Sequence, residues 1–367
     1  MTVHRGFKYR LVLTKEQEQS FRQCGGNARA MYNILLNLCK NAYENEKKTL
    51  REFDLNKMLP ELKEALPWLK LSYSQSLQQV SKHLWKAYDA FFKGIRGKPT
   101  FKKKSKNRDS FCYPQNFEVG RNSIKIPKIG RVRMVKHRPL QGKPCSLTVS
   151  QDGDQWFAVI ICSIELDVPE EPVAIDLIGI DLGIKFLAVL DDGTYIPNIK
   201  PTKKYENKLR REQKRLSRKK NGSKNRAKQR LRVFRVHRKI RNMRENHRQQ
   251  ATHHITTKYN GFALENLNVA GMLKNHKLAK AIQDCAWGAF VRTLGYKAQA
   301  QGKPMVQIDR WFPSSQLCSL CGSRKLMPLN QREYVCEECG VILCRDLNSS
   351  KNIRSEGTKI LLKGCVI

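Results

Sequence analysis

Negative charge is scarce in this chain. Over 367 residues, 32 Asp and Glu stand against 70 Lys and Arg, a formal net charge of +38. With a pI near 10, the protein repels itself unless a polyanion lies against it. Nucleic acid is the polyanion to which this footprint points, and a membrane surface is the weaker alternative. Long apolar runs are also missing: none approaches the ~20 residues that cross a bilayer. The start, Met1-Thr2-Val3-His4-Arg5, lacks the apolar stretch of a secretory signal. The last four residues place Cys365 third from the end, which excludes a prenylation box. Twelve cysteines without an export signal point to a reducing cytoplasm, where paired cysteines bind metal more often than they form disulfides.

What is present changes texture along the chain. Phe7, Tyr9, Leu11 and Leu13 alternate as one face of a strand. Thr14-x-x-Gln17 is a capping box that should open a helix through Met31, Ile34, Leu35 and Leu38. A second helix is expected from Ser74 to Phe92, with Leu77, Val80, Leu84, Tyr88 and Phe91 packed inward. Gly94 to Pro99 ends it and Lys102-Lys103-Lys104 follows. Short strands then succeed one another: Ser110–Tyr113, Ser123–Ile126, Arg131–Val135, Ser146–Ser150 and Trp156–Ile164. With Phe7–Leu13 they predict a small β-barrel into which the helices are inserted. A proline-bearing stretch from Glu165 to Ile175 closes that region.

The apolar strand Ile178-Gly179-Ile180-Asp181 comes next, then Phe186–Leu190, the turn Asp191-Asp192-Gly193, and Tyr195-Ile196. A meander with an acid in its first strand is the opening of an RNase H-like fold. Lys200 to Arg248 carries 22 basic and 3 acidic residues, a net +19, half of the chain's excess. Val233, Val236, Ile240 and Met243 keep helical spacing there, as do Tyr205, Leu209 and Leu216, with Asn221-Gly222-Ser223 as a turn. This predicts a helical hairpin with a thin apolar seam and basic faces for phosphates, against the blander reading of a solvated charged helix pair. Gly261–Leu264 should be a strand ending at Glu265. A helix from about Lys277 to Ala300, a strand Pro304–Ile308 and a final helix from near Asp346 complete the expectation.

Two constellations carry chemistry. Cys318-x2-Cys321-x14-Cys336-x2-Cys339 has the spacing of a closed, structural, tetrahedral Zn2+ site, with Gly322 and Gly340 supplying the knuckle turns; two disulfides or an iron–sulfur cluster are the alternatives. Asp181, Glu265 and Asp346 are acids in three different local frames of a strongly basic chain. Brought together, they would hold two Mg2+ (or Mn2+) ions about 4 Å apart, one to activate water and one to stabilise the leaving oxygen of a phosphodiester. Asp176, Asp191, Asp192, Asp284 and Asp309 read instead as caps and turns. His253 and His254 read as solvated or phosphate-facing, and Cys344 as a filler side chain. Cys24, Cys39, Cys112, Cys145, Cys162, Cys285 and Cys365 show no ligand spacing.

These pieces together resemble the TnpB (OrfB) family of transposon-encoded nucleases, relatives of the type V CRISPR effectors. The resemblance rests on Gly179-Ile180-Asp181-Leu182-Gly183, Leu264-Glu265-Asn266-Leu267, the two Cys-x2-Cys-Gly pairs, Arg345-Asp346-Leu347-Asn348 running to Asn352-Ile353, and Arg310-Trp311-Phe312-Pro313-Ser314-Ser315. Tyr9-Arg10-Leu11, Thr14–Gln17 and Phe91–Lys104 match as well, so it spans the chain. Many family members carry an acid where this chain has Cys344.

The resemblance implies an α+β, multidomain chain. An OB-like β-barrel (1–14 and 100–172) would carry a helical recognition insertion (15–99). An RNase H-like RuvC nuclease domain (173–316 and 341–354) would hold the basic hairpin (200–250) and a zinc-binding insertion (317–340), with a tail at 355–367. It implies RNA-guided cleavage of double-stranded DNA beside a short flanking motif, by a monomer bound to guide RNA from the transposon end, in a prokaryotic cytoplasm. Residues near Tyr73–Val80 and Lys102–Lys104 would face guide or flanking duplex. An RNA-guided repressor without cleavage, or an RNase H-like transposase or resolvase, are the alternatives.

Overall fold

The computed structural model describes residues 1–104, 109–166, 176–328 and 330–364. They form two compact units, Met1–Leu166 and Asp167–Ile367, which mix helices and sheets in an α+β arrangement. Among the described residues no helix is long and apolar enough to cross a membrane.

The first unit is built on β1 (Thr2–Val12), whose Phe7, Tyr9 and Leu11 are buried while their neighbours face out. Thr14 then caps α1 (Lys15–Glu46): its Oγ1 accepts the Gln17 N–H at 3.2 Å and Gln17 Oε1 accepts the Thr14 N–H at 3.2 Å. After α2 (Glu52–Lys57), α3 (Leu59–Ala65) and a 3-10 turn (Pro67–Leu71) comes α4 (Ser74–Phe92), with Leu77, Val80 and Leu84 buried. Six strands follow: β2 (Ser110–Tyr113), β3 (Glu118–Val119), β4 (Ser123–Ile126), β5 (Gly130–Val135), β6 (Lys143–Asp152) and β7 (Gln155–Glu165). The sheet order is β2-β6-β7-β1-β5-β4-β3, antiparallel throughout.

The first strand therefore does complete this sheet, from its centre. The barrel itself is not closed among the described residues, since β2 and β3 stand at opposite edges. Helices α1 and α4 pack against β2, and Phe21 of α1 meets Phe111 and Trp156 edge-on at 5.4 and 5.2 Å. The helices share one core with the sheet, so that apolar face is covered by insertion instead of by closure. The stretch 167–175, expected to end this region, lies outside the described residues.

The second unit has a five-stranded sheet of order β10-β9-β8-β11-β12. Strands β8 (Ile178–Asp181), β9 (Phe186–Leu190) and β10 (Tyr195–Pro197) meander antiparallel, whereas β11 (Phe262–Glu265) and β12 (Met305–Ile308) run parallel to β8. Between β10 and β11 stand α5 (Pro201–Ser217) and α6 (Lys224–Lys258), the expected hairpin. Its seam buries Val233, Val236 and Ile240 as expected, together with a carboxylate, Glu212, which accepts from Gln229 Nε2 at 2.7 Å.

After β11 come α7 (Val269–Met272), α8 (Ala279–Cys285) and α9 (Trp287–Gln299). The single helix expected from Lys277 to Ala300 is thus two, broken at Ala286, whose φ is +51°. The break turns Asp284, Cys285 and Trp287 all inward, where a continuous helix would spread them around its circumference. A hairpin of β13 (Glu333–Val335) and β14 (Ile342–Cys344) leads into α10 (Arg345–Leu362). Residues 355–362, expected as a tail, are the last turns of that helix. They are held because Ile360 and Leu361 pack on the cluster of Leu177, Ala263, Val306 and Ile353.

Candidate active site

Parallel pairing brings the first two acids together. β8 and β11 are hydrogen-bonded neighbours in the register Ile180 to Leu264, so the next residues, Asp181 and Glu265, leave the sheet side by side at the same ends of their strands. Strands lie about 4.8 Å apart, a spacing two carboxylates can share around cations. The third acid arrives on α10, which crosses β8 closely. A Cβ on Gly179 would stand 1.9 Å from the Ser350 carbonyl oxygen, so only glycine lets the helix approach here. Asp346 lies in the first turn of that helix, where the exposed N–H groups favour an acid.

Hydroxyls tie the group together. Ser349, one turn on from Asp346, donates to Asp181 Oδ1 at 3.2 Å, and its Oγ lies 3.0 Å from Ser314 Oγ. The Ser314 hydroxyl in turn donates to Glu265 Oε1. Asn352 Nδ2 donates to the carbonyls of Ser314 and Leu317 at 2.8 Å each, fixing that loop on the helix.

The charges are left short of partners. Burial pushes the Asp181 carboxyl well above the ordinary range, and the negative charges of Glu265 and Asp346 push it further; the Ser349 hydrogen bond and Arg345 only partly oppose this. Burial also raises Glu265, against the Ser314 hydroxyl and Arg345. Crowded like charges of this kind favour a cation supplied from outside the chain. All three residues keep some exposed surface, so a cation can reach them.

The other aspartates have partners within the chain. Asp191 accepts from the Gly179 N–H at 3.2 Å and from Arg354 Nη1 at 3.1 Å. Asp192 closes its turn on Thr194 N at 2.9 Å and takes Lys258 Nζ at 2.8 Å. Asp176 pairs with Arg354 at 2.7 Å, and Asp309 accepts the Trp311 N–H at 2.8 Å. Asp284 accepts the N–H of Thr202, the start of α5, at 3.0 Å, and Arg244 Nε at 3.0 Å.

Among the described residues the four cysteines are the set whose ligand atoms all lie within 4.8 Å of one another; the three carboxylates stand wider apart. Cys318 and Cys339 sulfurs are 3.6 Å apart, and those of Cys321 and Cys336 are 3.5 Å apart. Thiolates set tetrahedrally about an ion at ~2.3 Å stand about 3.8 Å apart, so the cluster fits a metal of that kind. Gly322 and Gly340 carry φ of +79° and +71°, the left-handed turns that the knuckles need. The Ser323 hydroxyl and the backbone N–H groups of Glu338 and Cys339 pull the Cys336 thiol down towards the thiolate.

Cys344 is half-buried at the start of α10; burial first, then the neighbouring Cys344 and the charge of Asp346, raise the Tyr195 hydroxyl above its ordinary value. His253 and His254 are exposed on α6, with no metal-binding cluster around them among the described residues. Of the remaining cysteines, Cys24, Cys39, Cys162 and Cys285 are buried; Cys365 lies outside the described residues. Three residues of the site, Ser314, Ser349 and Arg345, carry no expectation from the sequence. All three lie within segments that match the family, but nothing in those segments singles them out.

A model described as "Probable transposase", of the OrfB group, matches residues 161–276, which include Asp181 and Glu265. A model described as "Cas12f1-like, TNB domain" matches residues 287–353, which hold the four cysteines and Asp346, and a "Helix-turn-helix domain" model matches residues 1–48. A Streptomyces pristinaespiralis protein named as an RNA-guided DNA endonuclease is 35% identical over 97% of this chain and 90% of its own length. The chain belongs to the TnpB (OrfB) family. A second relative, InsQ of Escherichia coli K12, also named as an RNA-guided DNA endonuclease, is 31% identical over 98% of this chain and 93% of its own. Among solved structures, a cryo-EM structure of a Cas12f1–sgRNA–target DNA complex aligns over 96% of this chain and 99% of that one, at 17% identity and a TM-score of 0.38.

Proposed function

We propose that this protein is an RNA-guided DNA endonuclease of transposon origin that cuts its target beside a short flanking motif. The reading rests on one observation: Asp181, Glu265 and Asp346 converge from two strands and a helix, and Asp181 and Glu265 are drawn out of water with only Arg345 and two serine hydroxyls to set against their charge. Three carboxylates brought to one place would serve as ligands for a pair of Mg2+ ions about 4 Å apart. When bound, such ions supply an activated water and stabilise the leaving oxygen. The residues of the chain do the rest. The three carboxylates provide oxygen ligands, Ser349 and Ser314 fix the rotamers of Asp181 and Glu265, and Arg345 moderates the negative field.

The sheet order, a meander of three strands followed by two parallel ones, supports an RNase H-like RuvC domain over 173–316 and 341–354; the first unit, an open seven-stranded sheet instead of a closed OB-like barrel, would hold the guide together with its insertion at 15–99. The four cysteines would hold Zn2+ as a structural knuckle at 317–340. The α5–α6 hairpin, net +19 over residues 200–248, would lie against the phosphates of guide RNA or heteroduplex, which it can read by shape.

The test is plasmid cleavage with the transposon-end RNA and Mg2+. Wild type should cut the guide-matched plasmid and Asp181→Ala should not. Equal survival of the target with both would sink the nuclease reading and leave a guided DNA binder.

A further inference from the structure

Trp311 is 85% exposed, whereas Trp156 and Trp287 are buried at 3% and 2%, and Trp68 and Trp85 are half-buried. Indole is among the largest apolar surfaces a chain can carry, and it normally covers most of it. This one is held out by its neighbours. Asp309 Oδ1 accepts the Trp311 N–H at 2.8 Å, closing a turn. Arg310 Nε donates to the carbonyl of Asn266, the residue after Glu265, at 3.3 Å. Phe312 packs inward on the cluster that includes Ala263, Val306 and Ile353. Ser314, three residues on, donates to Glu265 itself. The residues around it are anchored, and the ring faces solvent.

We propose that Trp311 is a stacking platform for a nucleobase of the single strand entering the acidic site. Three residues span at most about 11 Å, so the Trp311 backbone lies within that reach of the Ser314 that holds Glu265. A base of the strand whose phosphate sits at the acids comes within range of an indole there. The charge of the whole chain points to the occupant: at a net +38, with Arg310 beside the ring, the protein draws in a phosphate backbone more readily than an apolar protein partner. Stacking on an aromatic face tolerates any base, as a guided enzyme with changing targets requires. The identity of the strand rests on the nuclease reading; the contact between ring and base does not.

The experiment therefore has an arm free of cleavage. The tryptophan emission of the full chain minus that of Trp311→Phe isolates this ring. Addition of single-stranded oligothymidylate should quench the difference spectrum, and an abasic oligomer of the same length and charge should leave it unchanged. No quenching, or equal quenching by both, overturns the proposal whether or not the protein cuts DNA. In guided cleavage, Trp311→Ala should lower kcat/KM by about 5- to 100-fold and Trp311→Phe by much less, as loss of one stacked base predicts. On DNA made abasic next to the cut, wild type and Trp311→Ala should become equal; an undiminished gap on abasic DNA also overturns it.

Discussion

Asp284 and Asp181 belong to the same unit, and both are drawn out of water, yet their surroundings are opposite. Asp284, whose side chain is 3% exposed, is well supplied with donors: the N–H and hydroxyl of Thr202 and the guanidinium of Arg244 all reach it. Asp181 has one serine hydroxyl and the charge of Arg345 to set against two like charges. A buried carboxylate is costly unless it is paired. The chain meets that cost at Asp284, where the acid joins α8 to the base of the α5–α6 hairpin, and leaves it unmet at Asp181. An acid kept in this state is one whose partner comes from outside.

The widest effect that tests this contrast is on cleavage. On the proposed reading, Asp181→Ala and Glu265→Ala should each lower guided cleavage on the order of 10³-fold or more, since each would remove a ligand to the reacting ions. Neither should lower the melting temperature of the metal-free protein, because removal of one member relieves repulsion of the others. A variant that melted well below wild type would mean that the acids hold the sheet together, and the contrast with Asp284 would collapse.

The four-cysteine knuckle is tied to the same site from the other side. Asn348 Oδ1 accepts the Ser319 N–H at 2.9 Å, and Asn348 and Asn352 both donate to the Leu317 carbonyl, the residue before Cys318. Cys336→Ser should abolish the bound zinc, measured by elemental analysis against one ion per wild-type chain. It should also lower cleavage about 10- to 100-fold through the loosened Ser314 loop, the range for groups that orient metal ligands. Loss of zinc with full cleavage would show the knuckle and the acids to be independent.

Much of this was legible because it is local. The Thr14–Gln17 box, the hairpin turn at Asn221-Gly222-Ser223, the left-handed glycines after each cysteine pair and the acid closing an apolar strand are each written within a few residues. What escaped depends on partners far away. The break at Ala286 answers to Thr202 and Arg244, some 80 and 40 positions off, so periodicity continued straight through it. Ser349 acquires its meaning only when α10 lies over Gly179. The barrel was expected because strand sequences show alternation and turns, but say nothing of whether the two edge strands meet.

On the paired side of the contrast the effect should move from activity to stability. Asp284→Ala leaves Arg244 and the first turn of α5 without their acceptor in a mostly buried position. Arg244 is 21% exposed, so water recovers part of the loss, and about 2–3 kcal/mol is the expected cost. For a unit of this size that lowers the melting temperature by roughly 4–10 °C. Cleavage below the melting range should fall far less than in Asp181→Ala. If Asp284→Ala instead abolished cleavage in a folded protein, Asp284 would belong with the functional acids.

Glu212 sharpens the comparison most finely, because it is a buried acid on the most basic element of the chain. Its carboxylate accepts from Gln229 Nε2 at 2.7 Å and from Arg215 at 3.3 Å. The Gln229 hydrogen bond, with Arg215, Arg211 and Arg232 behind it, holds its pKa below the ordinary glutamate value despite burial. A carboxyl lowered in the folded state contributes stability that is present above its unfolded pKa, about 4.3, and is lost as pH falls through the lower folded value. Glu212→Gln keeps the shape and an acceptor for Gln229 but removes the charge. Its urea midpoint should fall slightly below that of wild type at pH 7, and the two should converge as pH drops below about 4. A gap that persists in acid would assign the effect to the altered side-chain packing at the seam, and Glu212 would no longer count as a charge the hairpin satisfies.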